Sequence, residues 1–139
     1  MLVIIPCGQQ KRTYKTQAER LYIGPYYRQC LRWALSITER ENIYILSAKH
    51  GFVSLKEELF PYEQQMDRPG AISLTAIKQQ AKTKGIDKAK RVVAIGGRRY
   101  TNICQAIWPS CEGPLQQVSG GMGMQMKWLK ENQGRLPDR

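Results

Sequence analysis

Ile43-Tyr44-Ile45-Leu46-Ser47-Ala48-Lys49-His50-Gly51 is a short apolar run that breaks abruptly into a polar turn. Four consecutive apolar residues, rich in β-favouring types, predict a short strand buried on both faces. Two other runs share that character. One is Leu2-Val3-Ile4-Ile5-Pro6; the other is Arg91-Val92-Val93-Ala94-Ile95, which closes in Gly96-Gly97. Stretches of helical periodicity lie between them. Gly24-Pro25 opens a helix that runs to about Arg40, with Tyr26, Cys30, Trp33, Ala34 and Ile37 at three- and four-residue spacing. Ser73 caps a second over 74–84, with Leu74, Ile77 and Ala81 as its stripe and Gly85 as its stop. Helices are also predicted over 98–107 and 122–132. Leu115 to Val118 reads as a fourth strand, 52–70 as irregular around Pro61 and Pro69-Gly70, and 133–139 as a flexible tail.

Strands that alternate with helices and are apolar on both faces predict an α/β fold. The expected form is a single domain over 1–139, three-layered α/β/α, with a mostly parallel four-stranded sheet. A chain of 139 residues supports one such core. Ligands of open α/β sheets bind beyond the carboxyl ends of the strands. That rule gathers four polar or glycine-rich loops at one edge: 7–20, 47–66, 96–100 and 119–124.

The formal net charge is +11, from 22 lysines and arginines against 11 carboxylates. Such an excess points to a polyanionic partner, nucleic acid or a nucleotide, because each cation brought near a phosphate releases counterions. No apolar run approaches the roughly 18 residues of a membrane span, so no membrane partner is expected. The apolar N-terminus lacks a preceding basic region and a small-residue cleavage site, so it reads as a first strand and the expected location is cytoplasmic. Four cysteines are scattered without close pairing and there is one histidine. Structural zinc sites need closely spaced ligand pairs, so neither metal nor cofactor is expected. Cys30 and Cys104 read as small core residues.

Among the loops, Ser47–Gly51 is densest in chemical groups. Ser47 offers a hydroxyl, Lys49 a mobile cation, His50 a proton carrier near neutral pH, and Gly51 a sharp exit. Gly97 and Arg98 join a strand to a helix start, where free N–H groups and a guanidinium suit a phosphate. Gly120 and Gly121 make a similar junction, with Met122 and Met124 read as packing residues. Both junctions also read as plain turns, and no P-loop or dinucleotide fingerprint occurs. Glu57, Glu58 and Glu63 are the acidic cluster of a basic chain; such carboxylates can stabilise a sugar-like cation or position water. Tyr22, among Lys11, Arg12, Lys15 and Arg20, is the preferred base stacker, whereas Tyr26 and Trp33 read as core.

Pro6-Cys7, Lys11, Ala18, Leu21-Tyr22, Gly24, Ile45 through Gly51 and Pro61-Tyr62-Glu63 together resemble a family of small phage and bacterial proteins. That family is known as a domain of unknown function with a Ser-Ala-Lys-(His or Tyr)-Gly signature. His50-Gly51-Phe52-Val53-Ser54, followed by Glu57 and Glu58, is also similar to an accessory domain of archaeosine tRNA-guanine transglycosylases. The resemblance implies a uracil-DNA-glycosylase-like three-layer fold and a role at nucleobases; Cys7, Gln9, Lys11, Ser47 and Tyr62 complete the candidate substrate contacts. True uracil-DNA glycosylases carry an aspartate after the first strand. Here that loop is Pro6-Cys7-Gly8-Gln9-Gln10-Lys11, which directs the expectation to a different, modified base.

The leading expectation is a nucleic-acid-processing enzyme acting on a base or its N-glycosidic bond, with DNA ahead of RNA. Lys49 and Arg98 would hold phosphates, Tyr22 would stack, and His50 with Glu58 or Glu63 would supply acid–base or electrostatic help. Two rivals stand beside it: a noncatalytic DNA- or RNA-binding module, and a small enzyme acting on a free nucleotide or nucleoside.

Overall fold

Leu2–Pro6 (β1) alternates its side chains between two separate clusters, and that alternation organises the molecule. Val3 and Ile5 enter one cluster and Leu2 and Ile4 the other, as a strand covered on both faces must arrange them. The computed structural model describes residues 1–136. In chain order, β1 is followed by β2 (Thr16–Gln17), α1 (Ala18–Leu21), α2 (Pro25–Ile37), β3 (Ile43–Ser47), β4 (Gly51–Ser54), β5 (Glu58–Leu59), α3 (Leu74–Thr83), β6 (Val92–Ala94), α4 (Arg98–Ile107) and α5 (Met122–Glu131). The main sheet has the order β4-β3-β1-β6; β3, β1 and β6 are parallel and β4 runs antiparallel at the edge. A two-stranded ribbon, β2 with β5, stands apart from it.

One cluster packs Cys30, Trp33 and Ala34 of α2 and Leu129 of α5 onto Val3, Ile5, Ile43 and Ile45. The other packs Ile77 and Ala81 of α3 and Cys104 of α4 onto Leu2, Ile4, Leu46 and Phe52. Helices thus cover both faces of a mostly parallel four-stranded sheet. Cys30, Cys104 and Trp33 are fully buried, as expected. Ser73 caps α3 by accepting the Ala76 N–H at 3.1 Å, also as expected.

The fourth strand is not where the sequence placed it. Residues 114–117 form a 3-10 turn, because Gly113-Pro114 supplies a break and a residue with no N–H. Only Glu112 extends the sheet there, through a single bridge to Val93. The real fourth strand is β4, inside a stretch read as irregular; at four residues it is too short to show a period. Helix α2 ends at Ile37 rather than near Arg40, where a separate 3-10 turn begins. The polar stretch 7–20 is not all loop either, since Thr16–Gln17 form β2 and the buried Ala18 begins α1. Residues 133–135 were expected as the start of a flexible tail. They are tied back: Gly134 N–H donates to Ser36 Oγ at 2.9 Å and Gln133 Nε2 to the Leu129 carbonyl at 3.0 Å. Residues 137–139 of that tail lie outside the described residues.

Two details open the carboxyl edge of the sheet. Leu2 N–H donates to the Arg91 carbonyl and Ile95 N–H to the Ile4 carbonyl, so the even residues of β1 face β6. Pro6 falls in that series and has no N–H to offer, so the β1–β6 ladder stops at the strand end. The second detail is the β3–β4 hairpin. Gly51 has φ of +73°, and Gln80 of α3 lies over it, donating to the His50 carbonyl at 2.7 Å and accepting the Phe52 N–H at 3.0 Å. A Cβ on residue 51 would run into that amide. Gly51→Ala is therefore expected to cost about 1–3 kcal/mol, read as a lower urea midpoint; a variant as stable as the parent contradicts this geometry.

Candidate functional site

The loops that leave β1, β3 and β6 meet at this carboxyl edge; Tyr62 joins the first two, and Tyr100 of α4 meets the first at Cys7. Ser47, the last residue of β3, is fully buried, and its Oγ accepts the N–H groups of Lys49 (3.2 Å) and His50 (3.0 Å). Both lone pairs are thereby occupied, which leaves the Ser47 proton to donate to Tyr62 Oη, 2.7 Å away. Tyr22 Oη lies 2.6 Å from the same phenolic oxygen. Lys11 Nζ sits 4.5 Å above the Tyr62 ring and donates to the Gln9 carbonyl at 3.3 Å. His50 meets the ring edge-on with centres 5.4 Å apart, and Lys49 Nζ lies 6.0 Å from it. Aromatic faces carry partial negative charge, so one ring holds two cations in place.

Cys7 follows β1 directly, half-buried, with Sγ 3.3 Å from Tyr100 Oη of α4. Beside this pair opens a crevice of about 310 Å³, lined by Gln9, Gln64, Gln65, Asp67, Gly97, Arg98 and Arg99. A second crevice of about 390 Å³ adjoins it across Gln9, Gln64 and Gln65, and adds Lys11, Tyr62, Glu63 and Arg68. Gln64 Nε2 donates to the Gln65 and Pro69 carbonyls at 3.0 and 3.1 Å and so braces its own loop, while Gln9 and Gln65 line both crevices with amides, a group that offers both a donor and an acceptor.

The electrostatics follow from burial. Desolvation, with Cys7 close by, pushes the Tyr62 phenol up to about 12. Burial first, then the phenolic neighbour Tyr62, raises Tyr22; burial and then Cys7 raise Tyr100. All three phenols stay protonated at neutral pH. Lys11 is lowered by desolvation, partly opposed by Cys7 and Glu63. His50 is lowered by burial and by the Lys49 charge, against a smaller pull from Glu57. Its imidazole is therefore neutral near pH 7.

Most of the residues singled out from the sequence converge here: Cys7, Gln9, Lys11, Ser47, Lys49, His50, Tyr62, Glu63, Gly97 and Arg98. Others do not. Tyr22 is 2% exposed and offers no free face to a base; it props up Tyr62 instead. Glu58 lies exposed on the β2–β5 ribbon opposite Gln17, and the carboxylate acting on His50 is Glu57. Gly120 and Gly121 form the turn before α5, whose next residue, Met122, is 59% exposed rather than packed. Tyr26, read as core, is half-buried and donates to Gln125 Oε1 at 2.6 Å. Sequence reasoning missed Tyr100, Gln64, Gln65, Asp67 and Arg68. Tyr100 follows a recognised strand–Gly-Gly junction, which was a usable signal; the other four sit in a stretch without any period.

These features define a basic α/β protein with a polar cleft at the carboxyl edge of its sheet. The chain belongs to a family of unknown function (DUF6884), which it matches over residues 2–131. It is similar to the uncharacterized protein YfjM of Bacillus subtilis (strain 168), 28% identical over 115 residues that cover 76% of this chain and 75% of that one. No solved structure matches it significantly. Among the described residues no helix is long and apolar enough to cross a membrane.

His50 is the only histidine, so its imidazole resonances can be followed without assignment. An NMR titration should give an apparent pKa below the usual value of about 6.5. Lys49→Gln should raise it, and a parent value above 6.5 contradicts the burial and charge described.

Proposed function

We propose that this protein is a nucleic-acid-processing enzyme that acts on a nucleobase or its N-glycosidic bond. The observation that carries the proposal is the composition of the Cys7–Tyr100 crevice. Gln9 and Gln65 supply donors and acceptors for a base edge, Gln64 adds its side-chain oxygen while its amide nitrogen donates to the Gln65, Arg68 and Pro69 carbonyls, and Arg98 and Arg99 stand at one end for a phosphate. The N-terminus of α4, with Gly97 as its cap and no side-chain partner on its first turn, favours an anion at that same end. The overall charge of +11 supports a polymer of phosphates as the source.

Asp67 in the first crevice and Glu63 in the second are the carboxylates available for chemistry. Cleavage of a glycosidic bond builds positive charge on the sugar, which a carboxylate stabilises while directing water to the anomeric carbon. Neutral His50 would accept a proton at the rim. The resemblance to uracil-DNA-glycosylase-like domains agrees with this reading, and the absence of an aspartate in residues 7–11 favours a modified base over uracil. Stacking passes from Tyr22 to exposed aromatics. Phe60 is 68% exposed with Lys15 Nζ 5.0 Å from its ring, and Tyr14 is adjacent in sequence.

A second reading, binding without turnover, is favoured by one observation: the hydroxyls of Ser47, Tyr62 and Tyr22 are engaged with one another. One assay separates the two. Single- and double-stranded DNA carrying plain and modified bases is incubated with protein, and free base and alkali-labile sites are measured. The enzyme reading expects base release on at least one substrate, falling about 100-fold or more in Asp67→Asn or Glu63→Gln. Salt-sensitive binding with no base release on any substrate supports the binding module and overturns the enzyme.

A further inference from the structure

On the other side of the Cys7–Tyr100 pair lies a larger groove of about 680 Å³ that the chemistry above does not use. It shares Cys7, Gly8, Gln9, Gly97 and Tyr100 with the amide-lined crevice, so the two are wings of one cleft. Their walls differ. The groove is built from Pro25, Tyr26, Met122 and Met126, with the Tyr100 ring as the shared partition. Its volume and its mostly apolar, aromatic lining are those of a small-molecule site.

Several details show that this apolar wall is built. Tyr26 Oη donates to Gln125 Oε1 at 2.6 Å, so the polar tip is satisfied by α5 and the ring is left to face the groove. Gly121, at φ +82° and ψ −164°, occupies backbone space that only glycine enters readily, and it starts α5 at the next residue. Met122 and Met126, four apart on that helix, therefore fall on one face beside Tyr26. Met122 is 59% exposed, a cost that occupation of the groove would remove. Methionine adapts its shape to irregular apolar groups and packs well against rings.

We infer that the groove takes an apolar substituent carried on the base whose edge lies in the amide-lined wing. The substrate class is then a nucleotide, free or within a strand, bearing a bulky apolar modification. This rests on the nucleobase reading above. A base held by Gln9, Gln64 and Gln65 reaches the groove past the Cys7–Tyr100 pair with no charged side chain in the way, and an unmodified base leaves the groove empty.

The test uses the full chain and isothermal titration. The four common nucleoside 5′-monophosphates are compared with derivatives bearing a benzyl group on the exocyclic nitrogen, or on C5 for uridine. At least one benzyl derivative should bind about tenfold or more tightly than its parent. Met122→Asp, at an exposed position, and Met126→Ala should each bring that ratio within about threefold of unity. Parents that bind while no derivative gains overturn the groove assignment and leave the nucleobase reading standing. A gain that survives both variants also overturns it. If none of the eight compounds binds, the groove assignment falls, and the nucleobase reading is judged by the base-release assay on DNA.

Discussion

The site depends on burying three hydroxyls together. Ser47, Tyr62 and Tyr22 come from three separate segments, and each hydroxyl is shut away from water. A buried hydroxyl left without a partner costs about 1–3 kcal/mol, so each segment is held where the others can satisfy it. Ser47 also ties down the hairpin by taking two of its N–H groups. Tyr62 anchors the stretch that carries Glu63, Gln64, Gln65, Asp67 and Arg68, which has little regular structure of its own. Without that anchor nothing in local propensity would hold those residues over the sheet edge.

This arrangement explains why some of the molecule was legible in the sequence and some was not. The parallel strands announce themselves because burial on both faces demands unbroken apolar runs, as in Leu2–Pro6 and Ile43–Leu46. The position of the site follows from them, since three strand ends define an edge. The roles of individual residues do not follow. Tyr22 and Tyr62 look alike as letters beside lysines, and Lys11 lies over both rings, yet Tyr22 is interior while Tyr62 lines the crevice; only tertiary packing separates them. Gln80 holds the hairpin from thirty residues away, and no local pattern encodes that contact. The apparent strand at 115–118 failed because Pro114 and the 3-10 geometry it favours outweighed a weak apolar preference.

The cleft that results has a graded chemistry. Lys11 and Arg68 line one part, Arg98 and Arg99 with the amides and a thiol–phenol pair the next, and two methionines with a tyrosine the last. A ligand matched to it combines an anionic group and a hydrogen-bonding edge with an apolar end. Much positive charge lies elsewhere, including the exposed Lys78 and Lys82 of α3 and Lys84 just after it. Charge alone therefore does not choose the cleft, and its shape and amides must.

Whether ligand enters at the carboxyl edge is most directly read by mapping backbone amide shifts on titration with a short single-stranded DNA oligonucleotide. The account predicts that Gly8, Gln9, Gln64, Gln65, Gly97 and Tyr100 respond together and saturate at one concentration. A response confined to the α3 lysines, or none at the edge while binding occurs, contradicts it.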